Sequence, residues 1–179
     1  TFALDYRETA PGAASRDMFL DSSGEADPEQ SRYSEQAVGV PGTVAGLLEA
    51  HRRFGSLPLY RLLTPAVNLA RDGFLVSPAL ANDLKSVHAS GRFNAAAKAV
   101  FFDQKGAPLP TGSVLKQPDL AETLMRIRDL GRTGFYKGKT AELIVGALST
   151  NGKAMSLTDL DSYEPVWRDP VEGSFRGYT

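Results

Sequence analysis

Apolar residues recur at helical spacing along most of the chain, and glycine, proline and asparagine separate the segments. In the segment from residue 39 to 55, GVPGTVAGLLEAHRRFG, this spacing is kept by Val44, Leu47, Leu48, His51 and Phe54. It places them on one face and predicts an amphipathic helix. Pro41 suits the first turn of that helix, and Gly55 suits the position just after its end.

Two further segments in the first half repeat the helical pattern. The apolar positions of the first are Leu59, Leu62, Leu63, Ala66, Val67 and Ala70. Because Pro65 removes a backbone donor, we predict two short helices here, with Thr64 capping the second and Gly73 ending it. Ser77-Pro78 then supplies a capping hydroxyl and a first-turn proline for the next helix. We place its end near residues 88–91.

The second half of the chain predicts three more helices. One runs from Pro118 to Leu130 and is stopped by Gly131. Another covers Gly138 to Thr150, with Asn151-Gly152 as its stop. The residues from Ser156 to Asp159 have the spacing of a capping box, in which a hydroxyl and a carboxylate bind the first free amides of a short helix.

Strand-like segments frame the helices at both ends of the chain. Phe2 to Tyr6, Val166 to Arg168 and Val171 to Thr179 all have extended patterns. The polar segment from Asp21 to Ser34 is typical of a surface loop. The predicted fold class is therefore α+β and predominantly helical. We expect residues 1–179 to form a single partial domain, truncated at both ends inside strands.

Composition excludes several classes of protein. Lysine and arginine number 20 against 21 acidic residues, so no net positive field favours nucleic acid as a partner. Cysteine is absent, which excludes a thiolate nucleophile and cysteine-based metal sites in this chain. No apolar run approaches the roughly 18 residues of a membrane-spanning helix. We expect neither a nucleic-acid partner nor a membrane segment here.

Metal and anion sites find little support in the sequence. His51 and His88 fall in different predicted helices, and no pair of carboxylates accompanies either at ligand spacing, so we expect no metal site. Gly39, Gly42 and Gly46 have neither the order nor the lysine of a phosphate-binding loop. We interpret them as a tight entry turn with close helix packing, and we expect no cofactor.

Two residues near the start of the chain could carry chemistry. An N-terminal threonine such as Thr1 can act as a nucleophile through its own amino group, but nothing nearby supplies a base or an oxyanion donor. We therefore assign no catalytic residue. Arg7 follows the first strand, and a guanidinium there could grip a carboxylate through two parallel hydrogen bonds. A local ion pair with Asp5 or Glu8 explains the same residue, and the pattern leaves both readings open.

Six consecutive segments carry a family resemblance. They are LDYRETAP, SRDMFLD, GVPGTVAGLLEAHRRFG, LLTPAVNLARDGF, GFYKGKTAELIV and SLTDLDSYEPVWRDPVEGSFRGY. Together they resemble the γ-glutamyltranspeptidase family, from the interior of its large subunit, over essentially all 179 residues. The resemblance implies an N-terminal-nucleophile hydrolase whose helices cover a two-sheet αββα core.

The resemblance assigns one substrate-binding residue to this chain. The arginine of the family's D-[YF]-R-E motif maps onto Arg7 and would bind the α-carboxylate of a γ-glutamyl donor such as glutathione. The nucleophile would be a threonine freed by autoproteolysis at the start of the small subunit of the same precursor. Because that threonine lies outside these residues, the chain alone is expected to be inactive. Family habit implies a periplasmic or secreted parent.

Two alternatives accompany this reading. Acylases acting on cephalosporin or glutaryl side chains and enzymes that cut poly-γ-glutamate share the architecture that the resemblance implies. A different class is a catalytically silent helical module that binds another chain through exposed strands or apolar faces. The pocket of the small subunit would discriminate the enzymes of the first group, and concentration-dependent dimers would support the binding module.

Overall fold

The structure is a computed structural model, which describes residues 1–148 and 154–177. The α-helices of this described part are α1 Pro28–Tyr33, α2 Thr43–Phe54, α3 Leu59–Asp72, α4 Pro78–Ala89, α5 Ala95–Phe101, α6 Pro118–Leu130, α7 Thr133–Tyr136, α8 Gly138–Ala147 and α9 Leu157–Ser162, and a short 3₁₀ helix covers Glu35–Ala37. The strands are β1 Ala3–Asp5, β2 Phe74–Leu75, β3 Val114–Leu115 and β4 Val166–Arg168. About 51% of the structure is helical, which confirms the predicted α+β, predominantly helical class.

The chain divides into two compact units. One combines Thr1–Ser56 with Leu130–Thr179, and the other is Leu57–Asp129. In the first unit, β1 and β4 form an antiparallel pair in which Leu4 lies opposite Trp167. The two strand-like ends predicted from the sequence therefore pair with each other. The assignment of residues 1–179 to one partial domain stays a prediction.

The core of the first unit lies where α2, α7, α8 and α9 meet. Its buried residues are Val40, Ala45, Tyr136, Ala141, Met155, Leu160 and Tyr163. Two tyrosines thus belong to a core that is otherwise aliphatic, and each needs a partner for its hydroxyl because an unpaired buried polar group is costly. Those partners connect the core to the chain around Arg7.

The second unit has a smaller core beside a two-stranded ribbon. Strands β2 and β3 pair antiparallel, with Phe74 opposite Leu115. The buried residues Val76, Ala81 and Leu115 form the core. Gly73 has a positive φ of 94° and its amide donates to the Leu69 carbonyl, so it ends α3 as predicted. Ser77 caps α4 by accepting from the Leu80 amide at 3.2 Å, as its hydroxyl predicted.

Several expectations about helices were wrong. Pro65 lies inside one continuous helix α3 and does not split it. Thr64 does not cap a second helix, because its hydroxyl donates to the Tyr60 carbonyl at 2.6 Å, one turn back. Pro41 precedes α2, which begins at Thr43. A proline inside a helix removes one backbone hydrogen bond, and its ring clashes with a carbonyl of the preceding turn. Burial of the apolar stripe, which continues to the buried Ala70, opposes this effect and favours one continuous α3.

Other elements were missed or lie outside the described residues. The expected loop from Asp21 to Ser34 contains α1, whose N-cap Asp27 accepts from the amides of the first turn. Helix α5 was not predicted, although Asn94 caps it and alanines fill it. Residues 171–177 contain no named strand. The predicted stop at Asn151-Gly152 and the last two residues of the expected terminal strand fall outside the described part.

The remaining predictions about helix ends agree with the structure. Gly55 lies directly after α2 and Gly131 directly after α6. Ser156 and Asp159 form the predicted capping box at α9. None of the described helices combines the length and apolar character that a membrane-spanning segment requires. Within residues 1–148 and 154–177, no three histidine or acidic side chains gather as metal ligands would.

Candidate functional site

Arg7 lies two residues beyond the end of β1, and its main chain is held by the strand's last residue. The Arg7 amide donates to Asp5 Oδ1 at 3.1 Å. The other oxygen of the same carboxylate accepts from Arg168 Nε at 2.8 Å. Asp5 therefore pairs with Arg168 across the β1–β4 ribbon and not with the Arg7 side chain. The possible ion pair between Arg7 and Asp5 is wrong.

The Arg7 guanidinium is exposed and only loosely paired. Its side chain is 83% exposed, and its nitrogen lies 3.4 Å from Glu8 Oε1, whose own side chain is also exposed. A charge-assisted N–H···O bond is about 2.7–2.9 Å long, so this pair is long. The net contribution of such an exposed pair to stability is small, and the guanidinium can exchange Glu8 for another carboxylate at little cost.

Close packing restricts the main chain at Tyr6, directly before Arg7. A Cβ atom at Gly42 would overlap both the Tyr163 hydroxyl and the Tyr6 carbonyl oxygen, and one at Gly46 would overlap the Tyr6 side chain. Glycine is required at both positions because no side chain fits. The predicted close packing at Gly42 and Gly46 is confirmed.

The N-terminus of α2 is stabilised by a side chain from α7. Gly42 has no side chain with which to cap the helix, and the buried Tyr136 takes that role. Its hydroxyl accepts from the Ala45 amide at 3.1 Å and donates to the Pro41 carbonyl at 2.6 Å. Burial raises the pKa of Tyr136, so its hydroxyl keeps its proton and serves both neighbours.

A second tyrosine reaches the Arg7 main chain. Tyr163 packs parallel to Tyr136, with ring centroids 6.0 Å apart and planes 7° from parallel. Its hydroxyl donates to the Arg7 carbonyl oxygen at 2.8 Å. Arg132 lies 4.6 Å over the Tyr136 ring and donates to the carbonyl oxygens of Asp161 and Tyr163. Side chains from distant parts of the sequence therefore converge behind Arg7.

The electrostatics of the site favour the hydrogen bonds that hold it. The Arg7 amide and the Arg168 guanidinium lower the pKa of Asp5, so its carboxylate stays charged at neutral pH. Burial, together with the negative charges of Asp5 and Glu8, raises the pKa of Tyr163. Tyr163 is thus kept as a neutral hydrogen-bond donor toward Arg7.

Sequence reasoning found Arg7 and missed the residues behind it. Tyr163 follows α9 directly and Tyr136 ends α7, and neither position follows a helical or alternating pattern that would single it out. The predicted capping box contained a further contact, since Asp159 Oδ1 also accepts from the Gly12 amide at 2.8 Å. Thr1 is exposed at the start of the chain and takes no part in this arrangement.

Comparison with known proteins gives a consistent result. The family model described as Gamma-glutamyltranspeptidase matches residues 1–179. The glutathione hydrolase proenzyme of Escherichia coli K12 is 43% identical over 178 residues, covering 99% of this chain and 31% of that protein. The glutathione hydrolase proenzyme of Bacillus subtilis 168 is 40% identical over 179 residues, covering 99% of this chain and 30% of that protein.

Solved structures agree with the sequence comparison. The crystal structure of Helicobacter pylori gamma-glutamyltranspeptidase matches with a TM-score of 0.93 and 42% identity, over 99% of this chain and 51% of that one. The chain thus spans about a third of the length of the proenzymes that it resembles and about half of that crystallised chain.

Proposed function

The chain belongs to the gamma-glutamyltranspeptidase family, and on this premise we propose that the protein containing it cleaves γ-glutamyl amide bonds. The substrates would be glutathione-like donors, and the γ-glutamyl group would pass to water or to an amino acid. Arg7 would bind the α-carboxylate of the donor. The names of the E. coli and B. subtilis relatives, both glutathione hydrolase proenzymes, support this choice of donor.

The single observation that carries the proposal is the contrast between the main chain and the side chain of Arg7. Its backbone amide and carbonyl are both hydrogen-bonded, at 3.1 Å and 2.8 Å, whereas its guanidinium is 83% exposed. A fixed main chain that carries an exposed, loosely paired guanidinium suits recognition of a carboxylate by two parallel hydrogen bonds. The ligand would replace Glu8 as the partner of the guanidinium.

The chemistry itself would take place outside this chain. With the α-carboxylate held by Arg7, the donor's γ-carbonyl would face a threonine at the start of a small subunit, released by cleavage of the precursor. The threonine oxygen would attack the γ-carbonyl carbon, the amine would leave with a proton, and an ester would form. Water or an amino acid would then cleave the ester. The chain alone would be inactive, and the whole protein would be periplasmic or secreted.

Turnover of a γ-glutamyl anilide by the full-length protein tests the proposal. We expect Arg7→Lys to lower kcat/KM by about thirtyfold or more, or about 2 to 5 kcal/mol, because lysine keeps the charge and loses the fork. Arg16→Lys is the matched control, since Arg16 is also exposed and lies 3.6 Å from the carboxylate of its neighbour Asp17. Equal activity of the two variants, with precursor cleavage intact, would contradict the role of Arg7.

A further inference from the structure

The segment from Arg7 to Gly12 is held at both of its ends by the region around helix α9. At the first end, the Tyr163 hydroxyl donates to the Arg7 carbonyl at 2.8 Å. At the other end, the Gly12 amide donates to Asp159 Oδ1 at 2.8 Å. Between them, Thr9 and Val40 exchange backbone hydrogen bonds of 3.3 Å and 2.8 Å. The position of the Arg7 main chain is therefore set by contacts that are remote in sequence.

Tyr163 is itself fixed from every side. The residue is only 5% exposed, its ring packs parallel to Tyr136, and its carbonyl oxygen accepts from Arg132. Gly42 lies so close to the hydroxyl that a Cβ atom there would overlap it. A side chain that is buried and packed in this way can transmit its position to the group that it binds, because protein interiors are closely packed.

We propose that Tyr163 is a positioning residue for Arg7: its hydroxyl fixes the main chain from which the guanidinium projects toward the donor's α-carboxylate. This inference rests on the proposed function of Arg7. Tyr163 does not touch the substrate, so its removal weakens recognition of the carboxylate and leaves the reacting γ-carbonyl alone. A rigid supporting residue contributes in this way by holding the binding group within the productive geometry.

The test compares two donors in the full-length protein. One is a γ-glutamyl anilide, and the other is a γ-aminobutyryl anilide, which is the same molecule without the α-carboxylate. We define the carboxylate ratio as kcat/KM for the first donor divided by kcat/KM for the second. A purely structural defect lowers the amount of active enzyme and moves both values together, so it leaves the ratio unchanged.

Tyr163→Phe keeps the ring and its packing and removes the hydroxyl. We expect the carboxylate ratio to fall by about three- to tenfold, the effect of losing one typical hydrogen bond. The change should arise in KM for the γ-glutamyl donor, with kcat nearly unchanged. Tyr60→Phe is the control, since Tyr60 is exposed in α3, and its ratio should equal that of the unaltered protein.

A double-mutant cycle that combines Tyr163→Phe with Arg7→Lys separates this inference from the proposed function. If Tyr163 acts through Arg7, adding Tyr163→Phe to Arg7→Lys should change the ratio by less than about twofold. An unchanged ratio in Tyr163→Phe, together with a collapsed ratio in Arg7→Lys, would overturn the role of Tyr163 and leave the function of Arg7 intact. A ratio unaffected by either variant would overturn both.

A stabilised background keeps the test usable if Tyr163→Phe folds poorly. Gly146 lies in α8 with open space around its Cα, and alanine there should add stability because it lowers the backbone entropy of the unfolded chain. The carboxylate ratio of Tyr163→Phe with Gly146→Ala is then compared with that of Gly146→Ala alone. The same three- to tenfold fall supports the inference, and equal ratios overturn it.

Discussion

The hydroxyl of Tyr136 accepts the amide hydrogen of Ala45 at 3.1 Å, and in doing so it caps helix α2 from another part of the chain. The first amides of a helix have no partner within it, and a serine, threonine, asparagine or aspartate usually supplies one. Here the N-cap is Gly42, which has no side chain to offer. The close approach of Tyr6 and Tyr163 requires that glycine, so the capping role passes to Tyr136.

Removing the Tyr136 hydroxyl should destabilise the protein. Tyr136→Phe leaves the Ala45 amide and the Pro41 carbonyl without their partner in a buried site, which costs about 1–3 kcal/mol. Thermal or denaturant unfolding measures the change. Tyr60→Phe, at an exposed position, should leave the free energy of unfolding almost unchanged. Equal stability of the two variants would show that Tyr136 does not cap α2.

Two helical glycines should respond in opposite directions to alanine. At Gly46 the added methyl group meets the Tyr6 side chain, so Gly46→Ala should lower the free energy of unfolding by about 1–3 kcal/mol, as overpacking does. At Gly146 nothing lies within reach, so Gly146→Ala should raise it by about 0.5 kcal/mol. Both variants replace a helical glycine with alanine, so the difference between their free energies of unfolding reports the packing at each site. A higher free energy of unfolding in Gly46→Ala would contradict the close approach of Tyr6 to Gly46.

Acid should weaken the contact between α2 and β4. A hydrogen bond from Arg52 and another from the Trp167 indole hold the pKa of Glu49 at about 2, below its usual 4.5. The carboxylate therefore contributes stability above about pH 4.5, and this contribution is lost as the pH falls toward 2. Trp167 donates to Glu49 Oε1 at 2.8 Å.

Trp167, the single tryptophan among residues 1–179, reports this titration because its indole binds the Glu49 carboxylate directly. Its emission should change on acidification below about pH 4, and Glu49→Gln should remove that change. In unfolding experiments, the stability difference between the unaltered protein and Glu49→Gln should shrink as the pH falls. A difference that stays constant from neutral pH to about pH 2 would show that Glu49 is not titrating there.

The sequence was sufficient for most helices because their apolar stripes and end residues are local. Gly55, Gly73 and Gly131 each stand where a helix ends, and Ser77 caps α4 as its hydroxyl predicted. The predicted break at Pro65 was wrong because it considered only the lost hydrogen bond of proline and not the packing that keeps α3 continuous. Proline lowers the stability of a helix without deciding where it ends when tertiary contacts favour its continuation.

The sequence predicted only one part of the candidate site, the Arg7 side chain. Arg7 could be named from its motif, but the bonds that fix it come from Asp5 and from Tyr163, which is 156 positions away. Contacts at such separation leave no periodic trace in one sequence. The pairing of Asp5 with Arg168 was hidden for the same reason, since it depends on the register in which β1 meets β4.

The carboxylate ratio of Arg7→Lys tests the central claim most directly. The donor without the α-carboxylate and the Arg7→Lys variant are measured separately and in combination. The ratio therefore reports the interaction between the α-carboxylate and the guanidinium, and it does not depend on the amount of active protein. We predict that the unaltered full-length protein strongly prefers the γ-glutamyl anilide to the γ-aminobutyryl anilide. Arg7→Lys should reduce this ratio by about thirtyfold. A ratio that stays the same in Arg7→Lys would contradict carboxylate binding by Arg7 and return this side chain to its exposed pair with Glu8.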